Sequence, residues 1–200
     1  QQIDRALNKL GFKGRRPLIA VNPMAKWPTK LWSAERFALL ADRLTKRYEA
    51  AVVFTGGRSD RSVIDGIVHR MSGRAGNLAG CTSLKTLAAL LSRCDLAVTT
   101  DTGPMHLAAA VGTPVVALFG PTAPWRTGPF GPVHRVVRTP LHCSPCFKRS
   151  CAEMQCMRTI SVDQVLAAVA ETGISTRVQA VDRPASGKAP GAPALSKAHC

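Results

Sequence analysis

Along the chain, uninterrupted apolar runs alternate with stretches in which apolar residues recur every three or four positions. The runs at 18–21, 51–54, 96–98 and 114–119 have no polar face, the pattern of strands buried on both sides of a parallel sheet. Shorter runs at 77–79 and 135–137 predict two further strands. Helical spacing covers 3–10, where Ile3, Ala6, Leu7 and Leu10 align and Gly11 ends the turn. It recurs at 33–48, about 60–71, 83–92, 105–111 and 161–170, with Ser33, Ser83 and Ser161 placed as N-caps. Strands that alternate with helices in this way predict an α/β fold, a doubly wound domain around a parallel sheet.

The stretch 95–131, DLAVTTDTGPMHLAAAVGTPVVALFGPTAPWRTGPFG, holds most of the candidate chemistry. Its first strand runs into Thr99-Thr100-Asp101-Thr102-Gly103-Pro104, where Asp101 or Thr102 can cap the next helix and Pro104 suits its first turn. Such a helix start offers unpaired N–H groups to an anion. Gly103 leaves the backbone approachable, and His106 in the first turn reaches the same anion. The residues also fit an ordinary strand–helix connection whose side chains only cap. Three more loops sit at strand carboxyl ends: 22–32, NPMAKWPTKLW, with Lys26 and Lys30; Gly56-Gly57 ahead of Asp60; and the turn at Thr82. Ligands of doubly wound sheets bind beyond those ends. The convergence predicts a phosphate-bearing ligand held without a metal.

Charge narrows the partner. The chain has 27 Lys and Arg against 12 Asp and Glu, a formal net charge of +15, which suits nucleic acid, an acidic membrane surface or a phosphorylated substrate. One Tyr, six Phe and three Trp are few for a single-strand stacking platform. No zinc-finger, homeodomain or RNP-like pattern occurs. Nucleic acid is therefore not the expected partner, and a basic nucleic-acid-binding α/β module stays as the alternative. No run is long and apolar enough to span a bilayer.

Four of the seven Cys form Cys143-x2-Cys146-x4-Cys151-x4-Cys156. With His142 nearby, this is either a zinc or iron–sulfur site or a compact loop of buried or disulfide-prone thiols. The spacing matches neither paired CxxC knuckles nor a ferredoxin run, so no metal is expected. Cys81 and Cys94 read as core residues. The chain opens Gln1-Gln2 without an initiator Met and is expected to be processed or a piece of a longer protein. The expected organisation is a helical lead-in over 1–16, a folded domain over 17–174 and a disordered tail of Ala, Pro, Gly, Ser and Lys over 175–200.

Residues 101–131, together with NPMAKWPTKLW and the segment CSPCFKRSCAEMQCMRTIS at 143–161, closely resemble the family 9 glycosyltransferases, the ADP-heptose:lipopolysaccharide heptosyltransferases. The resemblance covers roughly 17–174. It implies the Rossmann-like C-terminal domain of a two-domain GT-B fold, which binds the nucleotide-sugar donor. The implied reaction is an inverting, metal-independent transfer of heptose from ADP-heptose to the lipopolysaccharide inner core, with no cofactor. Lys30 is implied at the donor phosphates; Asp101, Thr102, Gly103 and His106 at diphosphate and sugar; Thr82 at adenine and Asp60 at ribose. The implied acceptor is an anionic lipid A/Kdo-type molecule, and the implied location is cytoplasmic, peripheral to the inner membrane. The family's general base, an Asp of the N-terminal half, has no counterpart here, so no catalytic residue is expected. Another nucleotide sugar is the alternative donor. Asp101 is expected to meet a sugar hydroxyl or a backbone N–H, since two anions repel.

Overall fold

The uninterrupted apolar runs become the strands of a single sheet in the computed structural model, which describes residues 2–174 apart from Lys13 and Arg16. The tail expected from 175 lies outside the described residues. The strands are β1 (Leu18–Asn22), β2 (Ala51–Phe54), β3 (Ala75–Asn77), β4 (Leu96–Thr100), β5 (Val115–Leu118) and β6 (Arg135–Val137). They pair in parallel in the order β3-β2-β1-β4-β5-β6. That order runs outward in one direction from β1 and in the other from β4, so the winding reverses between those two strands.

The helices are α1 (Gln2–Lys9), α2 (Ala34–Tyr48), α3 (Arg61–Arg70), α4 (Leu84–Leu91), α5 (Gly103–Ala110), α6 (Pro124–Thr127), α7 (Gln155–Arg158) and α8 (Val162–Ala170). Ser33 and Ser83 accept the N–H groups of Arg36 and Thr86, as N-caps do. At α8 the cap is reciprocal: Ser161 Oγ accepts from Gln164 N, and Gln164 Oε1 accepts from Ser161 N. The four-residue helices α6 and α7 are too short to carry a periodic signal.

Alternate strand residues point to opposite faces, and two cores result. Ile19, Val52, Phe54, Val98 and Leu118 pack with Phe37, Leu40 and Leu44 of α2, Ile64 of α3 and Val165 of α8. Ala20, Val53, Ala97, Val115 and Ala117 face Ile3 and Leu7 of α1, Leu90 of α4 and Met105 and Ala108 of α5. Each large side chain so buried contributes about 1.5–3 kcal/mol. Cys94 belongs to the second core as expected, whereas Cys81 is only half-buried at its margin.

The third strand departs from expectation. It occupies 75–77 rather than 77–79, because Phe54 pairs with Asn77 and the chain turns there. Asn77 Oδ1 accepts the Ala79 N–H at 2.9 Å, so the chain turns after Leu78, whose N–H makes the last bond to β2, at 2.9 Å to Phe54 O; Leu78 and Ala79 stay buried. Ala-Gly-Asn carries no hydrophobic signal. At Gly76 the Leu10 side chain packs directly on the strand, 2.3 Å from where a Cβ would lie, so a larger residue would have to push Leu10 aside.

Candidate functional site

Reversal of the winding opens a crevice beyond the carboxyl ends of β1 and β4, and the chain closes it with charged and hydroxyl groups. After β1, Pro28 opens a 3-10 turn, Pro28–Lys30, which aims Lys30 across the crevice. Lys30 Nζ lies 2.6 Å from Asp101 Oδ2 and 3.3 Å from the Asp101 carbonyl oxygen. Thr122, in the loop after β5, donates its hydroxyl to the same Oδ2 at 2.6 Å. Asp101 and Thr122 are 5% and 3% exposed, so this carboxylate has exchanged water for two protein donors. A buried carboxylate needs such compensation. Thr100 Oγ1 adds a bond to the Met24 carbonyl at 3.0 Å. Three strand ends thus meet around one side chain.

Asp101 Oδ2 is taken by the Lys30 ammonium and the Thr122 hydroxyl. The expected side-chain cap of α5 is absent. Thr102 stands at the N-cap in extended conformation, without a side-chain capping bond, and the Asp101 carboxylate is committed to the crevice. The space above Gly103 is open: a Cβ built there meets nothing within 4 Å. His106 is exposed on the first turn of α5. Lys30, Asp101, Thr102, Gly103 and His106 are thereby brought to one edge of the sheet.

Asp60 and Thr82 lie on the β2–β3 side of the same edge. Asp60 Oδ2 accepts the Gly57 N–H at 2.7 Å and folds the loop after β2. Gly80, with φ +74°, donates its N–H to the Gly56 carbonyl at 3.0 Å. A Cβ on Gly80 would stand 2.9 Å from Arg58 Cα, so glycine is required where the β2 and β3 loops touch. Thr82 is half-buried ahead of α4.

The Cys-rich loop flanks the crevice. Lys148 O accepts the Thr29 hydroxyl at 2.8 Å. The Trp27 ring carries Lys30 Nζ at 4.6 Å and the Arg149 guanidinium at 4.8 Å from its centroid. Pro121 O accepts the N–H groups of Cys146 and Phe147 at 3.0 and 2.8 Å. Cys143, Cys146, Cys151 and Cys156 are free thiols. Among the described residues, no three His, Cys, Asp or Glu side chains are grouped so as to hold a metal ion. Thr122, Thr29 and Trp27 were not singled out from the sequence. The only signal for Thr122 is a hydroxyl just past a strand end, inside a Gly-Pro turn.

A family model described as glycosyltransferase family 9 (heptosyltransferase) matches residues 1–157. Lipooligosaccharide heptosyltransferase 2 of Campylobacter jejuni is 30% identical over an alignment of 166 residues that covers 80% of this chain and 52% of that protein. A family 9 glycosyltransferase from Veillonella parvula superposes with a TM-score of 0.71 at 31% identity, over 84% of this chain and 50% of the other. The Escherichia coli ADP-heptose lipopolysaccharide heptosyltransferase II gives a TM-score of 0.71 at 28% identity, over 86% of this chain and 50% of the other. The chain spans about half the length of these relatives.

Proposed function

Because the chain belongs to glycosyltransferase family 9, we propose that it is the donor-binding half of a heptosyltransferase. It would take ADP-heptose and serve heptose transfer to the lipopolysaccharide inner core. The observation that carries this reading is the Lys30 ammonium, held by buried Asp101 next to the start of α5. As the glycosidic bond breaks, negative charge grows on the β-phosphate oxygens of the departing ADP. Lys30, the N–H groups of α5 and His106 supply positive potential there, where other transferases use a divalent cation. Asp101 orients Lys30 and does not face phosphate. The open space over Gly103 admits the diphosphate, while Asp60 takes the ribose and Thr82 the adenine.

In-line attack by an acceptor hydroxyl inverts the anomeric carbon. The base that deprotonates this hydroxyl comes from outside residues 1–200. The net charge of +15 favours an anionic acceptor of the lipid A/Kdo type and a peripheral contact with an anionic inner-membrane surface. Among the described residues no helix is long and apolar enough to cross a membrane.

Calorimetric titration with ADP, UDP, GDP and ADP-heptose, with and without EDTA, tests the proposal. Adenine nucleotides are expected to bind preferentially, and EDTA to change nothing. Lys30→Ala and His106→Ala are expected to weaken ADP by about 1.5–3 kcal/mol each, the scale of a hydrogen bond to a charged group. Unchanged affinity in both variants removes these residues from the phosphate site, and a preference for UDP replaces the donor.

A further inference from the structure

The donor site uses none of the four clustered thiols, yet Cys143, Cys146, Cys151 and Cys156 all line one cavity of about 270 Å³ beside Thr29 and Pro121. The backbone turns sharply beside two of them. Met154, a bulky residue at φ 47°, turns its N–H onto Cys151 Sγ at 3.4 Å. Phe147, at φ 55°, directly follows Cys146. Side chains of this size adopt left-handed backbone where surrounding structure enforces it, and often near reactive groups.

The thiols are unequal. The Met154 and Glu153 N–H groups hold exposed Cys151 below the usual thiol range, whereas burial and the three neighbouring cysteines push Cys156 up. A thiolate-prone sulfur and a second thiol held in its protonated form, lining one cavity, are the arrangement of an attacking and a resolving cysteine. The loop also grips both sides of the donor crevice. It reaches the Lys30 turn through the Thr29–Lys148 bond and Arg149 on Trp27. It reaches the Thr122 turn through Pro121 O and through Ser144 Oγ, which donates to Gly120 O at 2.6 Å.

We propose that this loop is a thiol–disulfide switch on donor binding. The Cys151 thiolate attacks a peroxide oxygen; the O–O bond breaks, a sulfenic acid forms, and a proton carries off the first water. A second thiol of the cavity then attacks that sulfur, the S–S bond forms, and the second water leaves. Two electrons pass from the thiols to one peroxide. The new bond draws the loop inward and releases Thr29, Trp27 and Pro121, so Lys30 loses its setting. The effect on the donor rests on the donor-binding reading; the disulfide does not.

The test treats the reduced 200-residue chain with hydrogen peroxide, maps disulfides by mass spectrometry and titrates ADP before and after. A disulfide from Cys151 to another of the four is expected. ADP affinity should fall by about tenfold, as when one charge-assisted contact is lost, and recover with a thiol reductant. Cys151→Ser should bind ADP normally when reduced and show neither change with peroxide. The proposal is overturned by the absence of such a disulfide, by one tightly held metal per chain shielding all four thiols, or by a disulfide that leaves ADP affinity intact. If the reduced chain binds no ADP at all, the donor reading falls, and the mapping still decides the oxidation chemistry.

Discussion

A carboxylate as enclosed as Asp101 has given up its hydration, and it recovers that loss on one oxygen from an ammonium and a hydroxyl. Thr122→Val deletes the hydroxyl and keeps the shape. The carboxylate then lacks a donor it has no water to replace, a cost of about 1–3 kcal/mol. Urea unfolding should show that loss, and Thr122→Ser should restore most of it. ADP affinity should fall in step, because the same oxygen holds Lys30. Lys30 and Asp101 were each legible as charged groups at strand ends. Their contact was not, since 71 residues separate them and only the β1–β4 pairing brings them together. Thr122 was illegible because Gly-Pro-Thr reads as a turn.

Two glycines at element ends separate packing from binding. At Gly120, just past β5, a Cβ would sit 2.5 Å from Met157 Sδ and 3.2 Å from Cys156 Sγ. Gly120→Ala therefore overpacks the seam between that loop and α7, by about 1–3 kcal/mol, and should lower the unfolding midpoint. At Gly103, opening α5, the added methyl meets nothing. Gly103→Ala should leave stability within about 1 kcal/mol of the parent yet hinder the diphosphate, which ADP titration would detect. The serine-capped helices were legible because the cap and the periodic run coincide. The third strand was displaced because Asn77, not an apolar residue, sets where it ends.

At the scale of the molecule, alternation of strand and helix was enough to infer a parallel doubly wound sheet. It did not carry the strand order, which depends on which crossovers return past β1. That order decides everything about the crevice: it places the loops of β1, β4 and β5 side by side and leaves β2 and β3 to one flank. A ligand held by three loops resists unfolding of the whole domain. ADP at about 100 times its Kd should add about 2.7 kcal/mol of stability, read as a rise in melting temperature. The ring of Trp27, which carries both Lys30 and Arg149, gives the molecule an optical gauge of its own. Cations over an indole face perturb its excited state, so when Lys30 turns toward an arriving diphosphate the emission should shift. Trp27→Phe should silence that signal, while buried Trp32 and exposed Trp125 go on emitting unchanged.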